Sequence, residues 1–319
     1  MKIRLGYACL STTLQITSST PYPLSKFTID TDAYWKWKSI VNSNLKHLEE
    51  ILQYNVKNNI HVFRLSSNLI PLATIENFPF NYTKDFASLY QKINKIIVEN
   101  NLRISFHPDQ YAILNSTRKE VLTSTKRILE YHYNLLNILN IEDKLILLHI
   151  GSSTFGKEKS MARFANQFNT LKEEIRSSIA IENDDKTFNV LDTLSLSKKL
   201  NIPMVLDYHH HICNGGFSVF PYIEDIFKTW KEKRPKIHFS SPKSKLRKEF
   251  RSHHDYIDSD TFIFFIEQIK HLPYDIDIMI EAKAKDEALF RLVRELKYKT
   301  NYHFLDETTF IVTKDHLTT

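Results

Sequence analysis

The chain has 319 residues, of which 42% are hydrophobic and 25% charged, and its formal net charge is +6. No apolar run approaches the roughly 20 residues that a membrane-spanning helix needs, and two cysteines are too few for a disulfide framework. The first ten residues lack the features of a signal peptide, so we expect a cytoplasmic protein with no membrane partner. The positive charge gives mild support for a polyanionic partner.

In chain order, short apolar or β-branched runs alternate with longer amphipathic segments. The predicted strands are Ile3–Leu10, Val62–Ser66, Leu102–His107, Leu145–Ile150, Ile179–Glu182, Met204–Tyr208, Ile237–Ser240 and Ile276–Glu281. The helices predicted to follow them are Asp32–Lys57, Lys84–Asn100, Ser116–Leu139, Lys157–Ser177, Val190–Leu200, Pro221–Lys231, Ser259–His271 and Asp286–Lys299.

Eight strand–helix repeats predict a single (β/α)8 TIM barrel in the α/β class, rather than a doubly wound sheet. The fourth and sixth predicted strands are nearly continuous apolar runs, as expected where helices cover a parallel sheet. Because no Gly/Ser-rich linker interrupts the chain, we predict one barrel domain over residues 1–300. Residues 301–319 are predicted to form a strand-like or irregular tail, and we assign them no role.

Imidazole and carboxylate side chains recur at the ends of the predicted strands, from the third to the eighth. In this fold the active site is built at the carboxyl ends of the strands. A lone His in an apolar strand is more often a core residue, and a carboxylate after a strand often caps the next helix. Together they would be costly to bury unpaired, whereas divalent cations would satisfy them jointly. The candidate metal ligands are His107, His149, Glu182, Asp207, His210, His238, His253 and Glu281.

The ligand types indicate a catalytic metal site. His with Asp and Glu, and no Cys, suits zinc, manganese or iron and disfavours a structural zinc site. Within the run His209–His211 we select His210, because Asp207 lies three residues before it. Eight ligands exceed the need of one ion, so we expect two or three divalent ions, bridged by a carboxylate such as Glu182. Such a cluster is suited to phosphodiester hydrolysis.

A basic segment follows the seventh predicted strand. It contains five bases, Lys243, Lys245, Arg247, Lys248 and Arg251, against one acid, Glu249. Since it follows a barrel strand, we expect it to lie on the rim of the active-site face and to meet phosphates. The alternative is a solvated loop without a partner.

Five motifs in this order resemble the UV damage endonuclease family, a relative of the endonuclease IV barrel. They are Phe63-Arg64-Leu65-Ser66-Ser67-Asn68-Leu69, His107-Pro108-Asp109-Gln110-Tyr111, Asp207-Tyr208-His209-His210, Lys236-Ile237-His238-Phe239-Ser240 and His253-His254-Asp255-Tyr256. The resemblance covers nearly the whole chain. It implies incision of the phosphodiester immediately 5′ to a UV photoproduct, with possible action on other lesions such as abasic sites.

The resemblance also implies roles for single residues. It implies a three-metal cluster held by the eight candidate ligands, with manganese favoured and zinc or magnesium as alternatives. Glu182 and Lys236 are the predicted catalytic residues, and the resemblance suggests that Lys236 is carboxylated and serves as an anionic ligand. Gln110 and Tyr111 resemble the pair that probes the lesion, and Tyr7 is expected to line the same site.

Two positions depart from the family pattern. Ser11 stands where the family often has Asn, and Ile75 stands where we expect a His that assists with the scissile phosphate. These departures could lower activity, although neither changes a proposed ligand.

The predicted function is therefore a metal-dependent DNA repair endonuclease, acting as a monomer on double-stranded DNA with UV lesions. Lys243, Lys245 and Arg247 are expected to contact this substrate. One alternative is a sugar or sugar-phosphate isomerase on a similar metal barrel, which leaves the basic segment unexplained. Another is a DNA-damage binding protein with weakened catalysis, as the changes at Ser11 and Ile75 suggest.

Overall fold

The structure, a computed structural model, describes residues 1–313 of the chain. Eight parallel strands form the barrel, and two short strands follow them. The strands are β1 (Lys2–Ala8), β2 (Val62–Leu65), β3 (Arg103–Phe106), β4 (Ile146–His149), β5 (Ile179–Glu182), β6 (Met204–Asp207), β7 (Lys236–Phe239), β8 (Ile276–Ile280), β9 (His303–Phe304) and β10 (Thr309–Ile311).

The order of the strands is that of a closed barrel. Strands β2 to β8 are neighbours in sequence order, β1 pairs with β8, and β1 also pairs with β2. In the parallel ladders His238 is the partner of Asp207, and Lys236 is the partner of Asp277. The predicted (β/α)8 TIM barrel is confirmed.

Helices cover the strands. They are α1 (Leu24–Phe27), α2 (Ala33–Lys57), α3 (Tyr82–Asp85), α4 (Ala87–Glu99), α5 (Lys119–Ile138), α6 (Lys157–Phe168), α7 (Glu173–Arg176), α8 (Val190–Leu200), α9 (Tyr208–Asn214), α10 (Phe220–Lys228), α11 (Ser259–Ile269) and α12 (Lys285–Lys299). Two predicted helices are wrong in length, because Lys84–Asn100 spans α3 and α4 and Lys157–Ser177 spans α6 and α7. Helices α1 and α9 were not predicted.

Side-chain caps fix where several helices begin. Asn189 and Asp192 form a capping box at the start of α8, in which each side chain accepts a hydrogen bond from the other residue's backbone N–H. Asp207 caps α9, and Asp258 caps α11. A cap satisfies backbone donors that have no partner inside the helix, so each carboxylate sets the first helical residue.

The contacts divide the chain into two compact units. The first unit comprises Met1–Ala8, Asn58–Val62 and the described part of Ala180–Thr319. Its core is made by apolar strand residues such as Ile237 and Ile278, both fully buried. At Gly6 a Cβ atom would lie 2.1 Å from the carbonyl oxygen of Val62, so only glycine allows this approach of two backbones.

The second unit comprises Cys9–Lys57 and Phe63–Ile179. Helix α2 presents a buried stripe at helical spacing, including Trp37, Val41 and Leu48, and it packs against α4. The Trp37 Nε1–H donates to the carbonyl of Pro71 at 3.0 Å, which satisfies the one polar group of this buried ring.

The segment after α12 forms a hairpin. Strands β9 and β10 are antiparallel, and β10 is antiparallel to β1, with Lys2 opposite Ile311. The strand-like character expected there is therefore observed between residues 303 and 311, while residues 314–319 lie outside the described chain. The division into a barrel domain over 1–300 and a tail over 301–319 stays a prediction. None of the helices within residues 1–313 is long and apolar enough to cross a membrane.

Candidate active site

Acidic side chains stand at the carboxyl ends of three strands of the first unit. Glu182 ends β5, Asp207 ends β6, and Glu281 follows β8. Glu182 and Asp207 are almost wholly buried, and the Glu281 side chain is 12% exposed. Burial of three carboxylates at the same end of neighbouring strands is costly unless positive charge or protons balance them.

His238 of β7 lies between two of these carboxylates. Its Nδ1 atom is 2.9 Å from Glu182 Oε1 and 3.2 Å from Glu281 Oε1. Potential ligand atoms of Asp207, His238 and Glu281 all lie within 4.8 Å of one another, and so do those of Glu182, Asp207 and His210. These two groups share Asp207, so they form one continuous set of oxygen and nitrogen donors.

The short helix α9 positions His210. The Asp207 carboxylate accepts the backbone N–H of His210 at 2.7 Å, which starts the helix there. The His210 ring Nδ1 lies 3.0 Å from the carbonyl oxygen of Asn183, which orients the ring. His209 and His211 are buried elsewhere, and His211 Nε2 lies 2.9 Å from the carbonyl of Phe217. Of the three consecutive histidines, His210 is the one in a ligand group with Glu182 and Asp207.

Asn183 is a site residue that the sequence analysis missed. Its side chain accepts the backbone N–H of Asp207 at 3.0 Å and donates to the carbonyl of Asp207 at 2.9 Å. It therefore ties the end of β5 to the end of β6 and holds Asp207 in place. An amide directly after Glu182 at a strand end was the available signal.

The electrostatics of the set favour a bound cation. Burial raises the pKa of Asp207 to about 6, because desolvation penalises the carboxylate. Burial lowers the pKa of His210, but the charges of Asp207, Glu182 and Glu281 outweigh it and raise that pKa to about 9. Asp207 Oδ2 is buried without a hydrogen-bond partner among the described residues. A divalent cation would be coordinated by this oxygen. It would also lower the pKa values of Asp207 and His210, which favours the deprotonated forms that bind metal, so the donor set fits a metal.

Two further predicted residues of the first unit are His253, which lies near this set, and Lys236, which precedes His238 in β7. His253 Nδ1 is 3.9 Å from Glu281 Oε2, and the His253 side chain is 27% exposed. Lys236 stands two residues before His238 in β7 and is 2% exposed.

In the second unit His107 and His149 lie together. His149 ends β4 and His107 follows β3, and the centroids of their rings are 5.0 Å apart. The Ser67 hydroxyl donates to the carbonyl of His107 at 3.1 Å, which fixes the chain where the strand ends.

The loop after β3 carries the two residues predicted to probe a lesion. Gln110 is exposed, and 77% of Tyr111 is exposed. The backbone N–H of Ala112 donates to the carbonyl of Asp109 at 2.9 Å, so the pair lies in a tight turn. The Tyr111 ring is therefore available at the surface.

The basic segment, residues 243–251, is an exposed loop pinned at its base. Pro242 and His253 form an antiparallel bridge, and the N–H of Lys243 donates to the carbonyl of Ser252 at 2.7 Å. Two of its five cations have acidic partners: Lys243 Nζ is 3.1 Å from Glu249 Oε1, and Arg251 Nε is 3.8 Å from Asp185 Oδ2.

The remaining cations of this loop, Lys245, Arg247 and Lys248, are exposed. Arg247, Lys248 and Arg251 line one open cleft with Cys213 and Phe250. The cleft is thus lined by three positive side chains and one aromatic ring, side-chain types that are suited to contacts with phosphates and bases.

The sequence also singled out Tyr7, Ser11 and Ile75. Tyr7 is fully buried in β1, as Asp207 is in β6, and its expected place at the site stays a prediction. Ser11 is fully buried and its hydroxyl accepts the N–H of Leu14 at 3.2 Å, which gives this position a structural role. Ile75 is half-buried.

A family model described as UV-endonuclease UvdE matches residues 3–307. A UV DNA damage endonuclease of Bacillus mycoides (strain KBAB4) is 41% identical over 265 residues, which cover 82% of this chain and 83% of that protein.

Two solved structures are similar to this chain. The crystal structure of SacUVDE superposes with a TM-score of 0.83 at 35% identity, covering 93% of this chain and 99% of that chain. Endonuclease IV from Thermus thermophilus superposes with a TM-score of 0.59 at 13% identity, covering 93% of this chain and 100% of that one. The second likeness shows a shared fold alone.

Proposed function

The chain belongs to the UV-endonuclease UvdE family, and on this premise we propose that it is a UV DNA damage endonuclease that depends on divalent metal ions. The observation that carries the proposal is the buried donor set of Glu182, Asp207, His210, His238 and Glu281. In a barrel of this family, such a set has a chemical purpose only with cations bound. Its substrate would be double-stranded DNA that contains a UV photoproduct.

We propose that two or three ions are held by all eight predicted ligands. Manganese is the favoured ion, with zinc or magnesium as alternatives. The ligands are His107, His149, Glu182, Asp207, His210, His238, His253 and Glu281. Such ions supply an activated nucleophile and neutralise charge on the phosphate and the leaving oxygen.

Within this set Glu182 is suited to bridging two ions. One of its oxygens lies 2.9 Å from His238 Nδ1 and 3.9 Å from His210 Nδ1, so the carboxylate is shared between two imidazoles. Asn183 holds Asp207, and Asp207 in turn starts the helix that carries His210. The protein thus fixes the donors before any ion binds, which reduces the cost of assembling the site.

We propose that Lys236 is carboxylated and acts as an anionic group beside His238. A buried ammonium next to a cation cluster would repel it, and a carbamate would reverse that sign. Lys236 is 2% exposed, which would shield the carbamate from water. The variant Lys236→Arg keeps the positive charge but cannot be carboxylated, so it should lose metal and incision. Full metal content in this variant would contradict the role.

The proposed cut is immediately 5′ to the photoproduct and leaves a 3′-hydroxyl. The test is a duplex with one pyrimidine dimer and a label on the damaged strand, incubated with the metal-loaded protein. A single labelled product that ends at the nucleotide before the dimer and primes a polymerase supports the proposal. An uncut duplex, or cutting on undamaged DNA at the same rate, would contradict it, and a duplex with an abasic site tests the wider lesion range.

The same experiment separates the two alternatives. A sugar-phosphate isomerase would ignore the duplex, and its small substrate has no need of the exposed cations at Lys245, Arg247 and Lys248. A binding protein with weakened catalysis would retain the damaged duplex without cutting it. Sedimentation of the protein with and without DNA tests the predicted monomer.

A further inference from the structure

Two loops of the second unit, which follow β3 and β4, are joined by reciprocal hydrogen bonds. The Asn115 side chain donates to the carbonyl of Ser152 at 2.6 Å and accepts the N–H of Ser152 at 3.1 Å. Gly151 makes this contact possible, because its φ is +108° and a Cβ there would lie 2.6 Å from Asn115 Oδ1. The loop of Gln110 and Tyr111 therefore has a fixed neighbour.

Phe155 stands at the tip of that neighbouring loop. It is 73% exposed, and its φ of +66° lies in the left-handed region that phenylalanine rarely adopts. Exposure of a large ring and a disfavoured backbone conformation both act against folding stability. A strained, exposed aromatic residue on a barrel loop is therefore a candidate for function.

Arg163 of α6 holds this loop. Its Nη2 donates to the carbonyl of Thr154 at 2.6 Å, and its Nε donates to the carbonyl of Asn115 at 3.0 Å. Its guanidinium also lies 6.0 Å from the centroid of the Phe155 ring. One side chain thus braces both loops and the aromatic ring at the tip of the second.

The two loops are built alike. Tyr111 follows His107 by four residues, and Phe155 follows His149 by six, so each exposed ring stands a few residues beyond a predicted ligand. The two histidines are neighbours, with ring centroids 5.0 Å apart. Both rings consequently leave the same end of the adjacent parallel strands β3 and β4.

We propose that Phe155 is a second stacking residue, which contacts a base of the distorted duplex beside the Gln110–Tyr111 loop, and that Arg163 is its positioning residue. This inference rests on the proposed function. Every base has an aromatic face, so an exposed ring that is held in a fixed position can stack on any base, whatever the DNA sequence. The gain is largest where bases are already unstacked, so Phe155 increases discrimination between damaged and undamaged duplex.

The test compares Phe155→Ala with Tyr298→Ala, a control that removes another exposed ring from the outer helix α12. Binding to duplexes with and without one photoproduct is measured by fluorescence anisotropy. Phe155→Ala should lower the ratio of damaged to undamaged affinity by about tenfold, in the range that loss of one stacked base gives. Tyr298→Ala should leave this ratio unchanged.

Arg163→Lys tests the positioning role through a double-mutant cycle with Phe155→Ala. The arginine change should reduce discrimination when Phe155 is present and add nothing when it is absent. A 2-aminopurine base placed opposite the lesion reports stacking directly, and its fluorescence should rise in Phe155→Ala.

The outcomes separate this inference from the proposed function. If the unmodified protein neither binds nor cuts photoproduct DNA, the proposed function fails. If it does both and Phe155→Ala discriminates equally well, with its melting temperature unchanged, the inference alone is overturned. Additive effects of Arg163→Lys and Phe155→Ala would overturn the positioning role.

Discussion

Two exposed loops of the barrel differ in their chemistry. The loop after β3 presents Gln110 and the ring of Tyr111, whereas the loop after β7 presents Lys245, Arg247 and Lys248. The first is a tight turn a few residues beyond His107. The second spans residues 243–251 and is pinned by the bridge between Pro242 and His253.

We propose that the two loops serve different parts of recognition. Cations contact phosphates, which every duplex carries, so the loop after β7 would supply affinity without selectivity. A polar and aromatic pair gains most where bases have left the stack, so the loop after β3 would supply selectivity with little general affinity. The following predictions test this division of labour.

The largest effect is expected where both loops stay intact and the chemistry is removed. Glu182→Gln keeps the shape of the side chain but deletes a charge shared by His238 and His210. Incision should fall by about 10²–10³-fold or more, the loss typical of removing a group that stabilises the transition state. Metal content by mass spectrometry should fall as well, while the salt dependence of DNA binding in the absence of added metal is retained.

The matched control for this change is Glu130→Gln; Glu130 is an exposed residue of α5 that pairs with Lys172, the residue before α7. It should cut at the normal rate. Normal incision and unchanged metal content in Glu182→Gln would refute the bridging role.

The second prediction removes the probing pair. Gln110→Ala with Tyr111→Ala should lower damage-specific affinity by about one to two orders of magnitude, since an aromatic stack is worth roughly 1–3 kcal/mol. Metal content and binding to undamaged duplex should stay normal. Loss of metal in this double variant would mean that the loop supports the cluster, which would break the comparison.

The third prediction concerns the loop after β7. Changing Lys245, Arg247 and Lys248 together to Ala should flatten the log–log dependence of affinity on salt by about 0.9 for each phosphate that the protein no longer neutralises. Damaged and undamaged duplexes should weaken equally. The control triple Lys46, Lys92 and Lys95, exposed on α2 and α4, should leave the slope unchanged. A selective loss for damaged DNA would assign recognition to this loop.

The smallest effect is expected at Glu249, the one acid among the five bases. Hydrogen bonds from Ser244 and Lys243 lower the pKa of Glu249, so the carboxylate is charged at neutral pH and offsets one cation. Glu249→Gln should release Lys243 and steepen the salt slope by up to about 0.9. Lys243→Ala, by contrast, should change binding less than loss of Lys245 or Arg247. Equal effects of the three lysine and arginine changes would show that the ion pair does not restrain Lys243.

Much of the fold could be predicted from the sequence because barrel strands carry a strong local signal. The predicted strand Ile179–Glu182 agrees with the structure at both ends, and the others differ by one or two residues. Buried parallel strands are continuous apolar runs bounded by polar residues, so their positions depend little on distant partners.

The elements that were missed depend on contacts far along the chain. Helix α9 is only seven residues long and begins with Asp207 as its cap, so it has no amphipathic period to detect. A strand-like or irregular tail was predicted after α12, but the antiparallel pairing of β10 with β1 was not, because β1 lies about 300 residues away and no local pattern reports it.

The residue types of the candidate site could be predicted from the sequence, but the burial and the pairing of individual side chains could not. Position at a strand end identified Glu182, Asp207 and Glu281, because in this fold such positions face the active site. Tyr7 was expected to line the site and is fully buried, as Asp207 is, so its role at the site stays a prediction. The ion pair of Lys243 with Glu249 could not be predicted from the sequence, because it depends on how the loop turns.

The pairing of β1 has a consequence for how the molecule is made. β1 precedes β2 to β10 in the sequence, and besides β2 it pairs with β8 and β10, which begin only at Ile276 and Thr309. The N–H of Leu5 donates a hydrogen bond to the carbonyl of Thr308, and the N–H of Val312 donates one to the carbonyl of Met1. Closing the ring between β1 and β8 carries a large loop-closure cost, so this pairing should form late in folding. Until β8 is in place, the edge of β1 that it covers is exposed to aggregation and to chaperones.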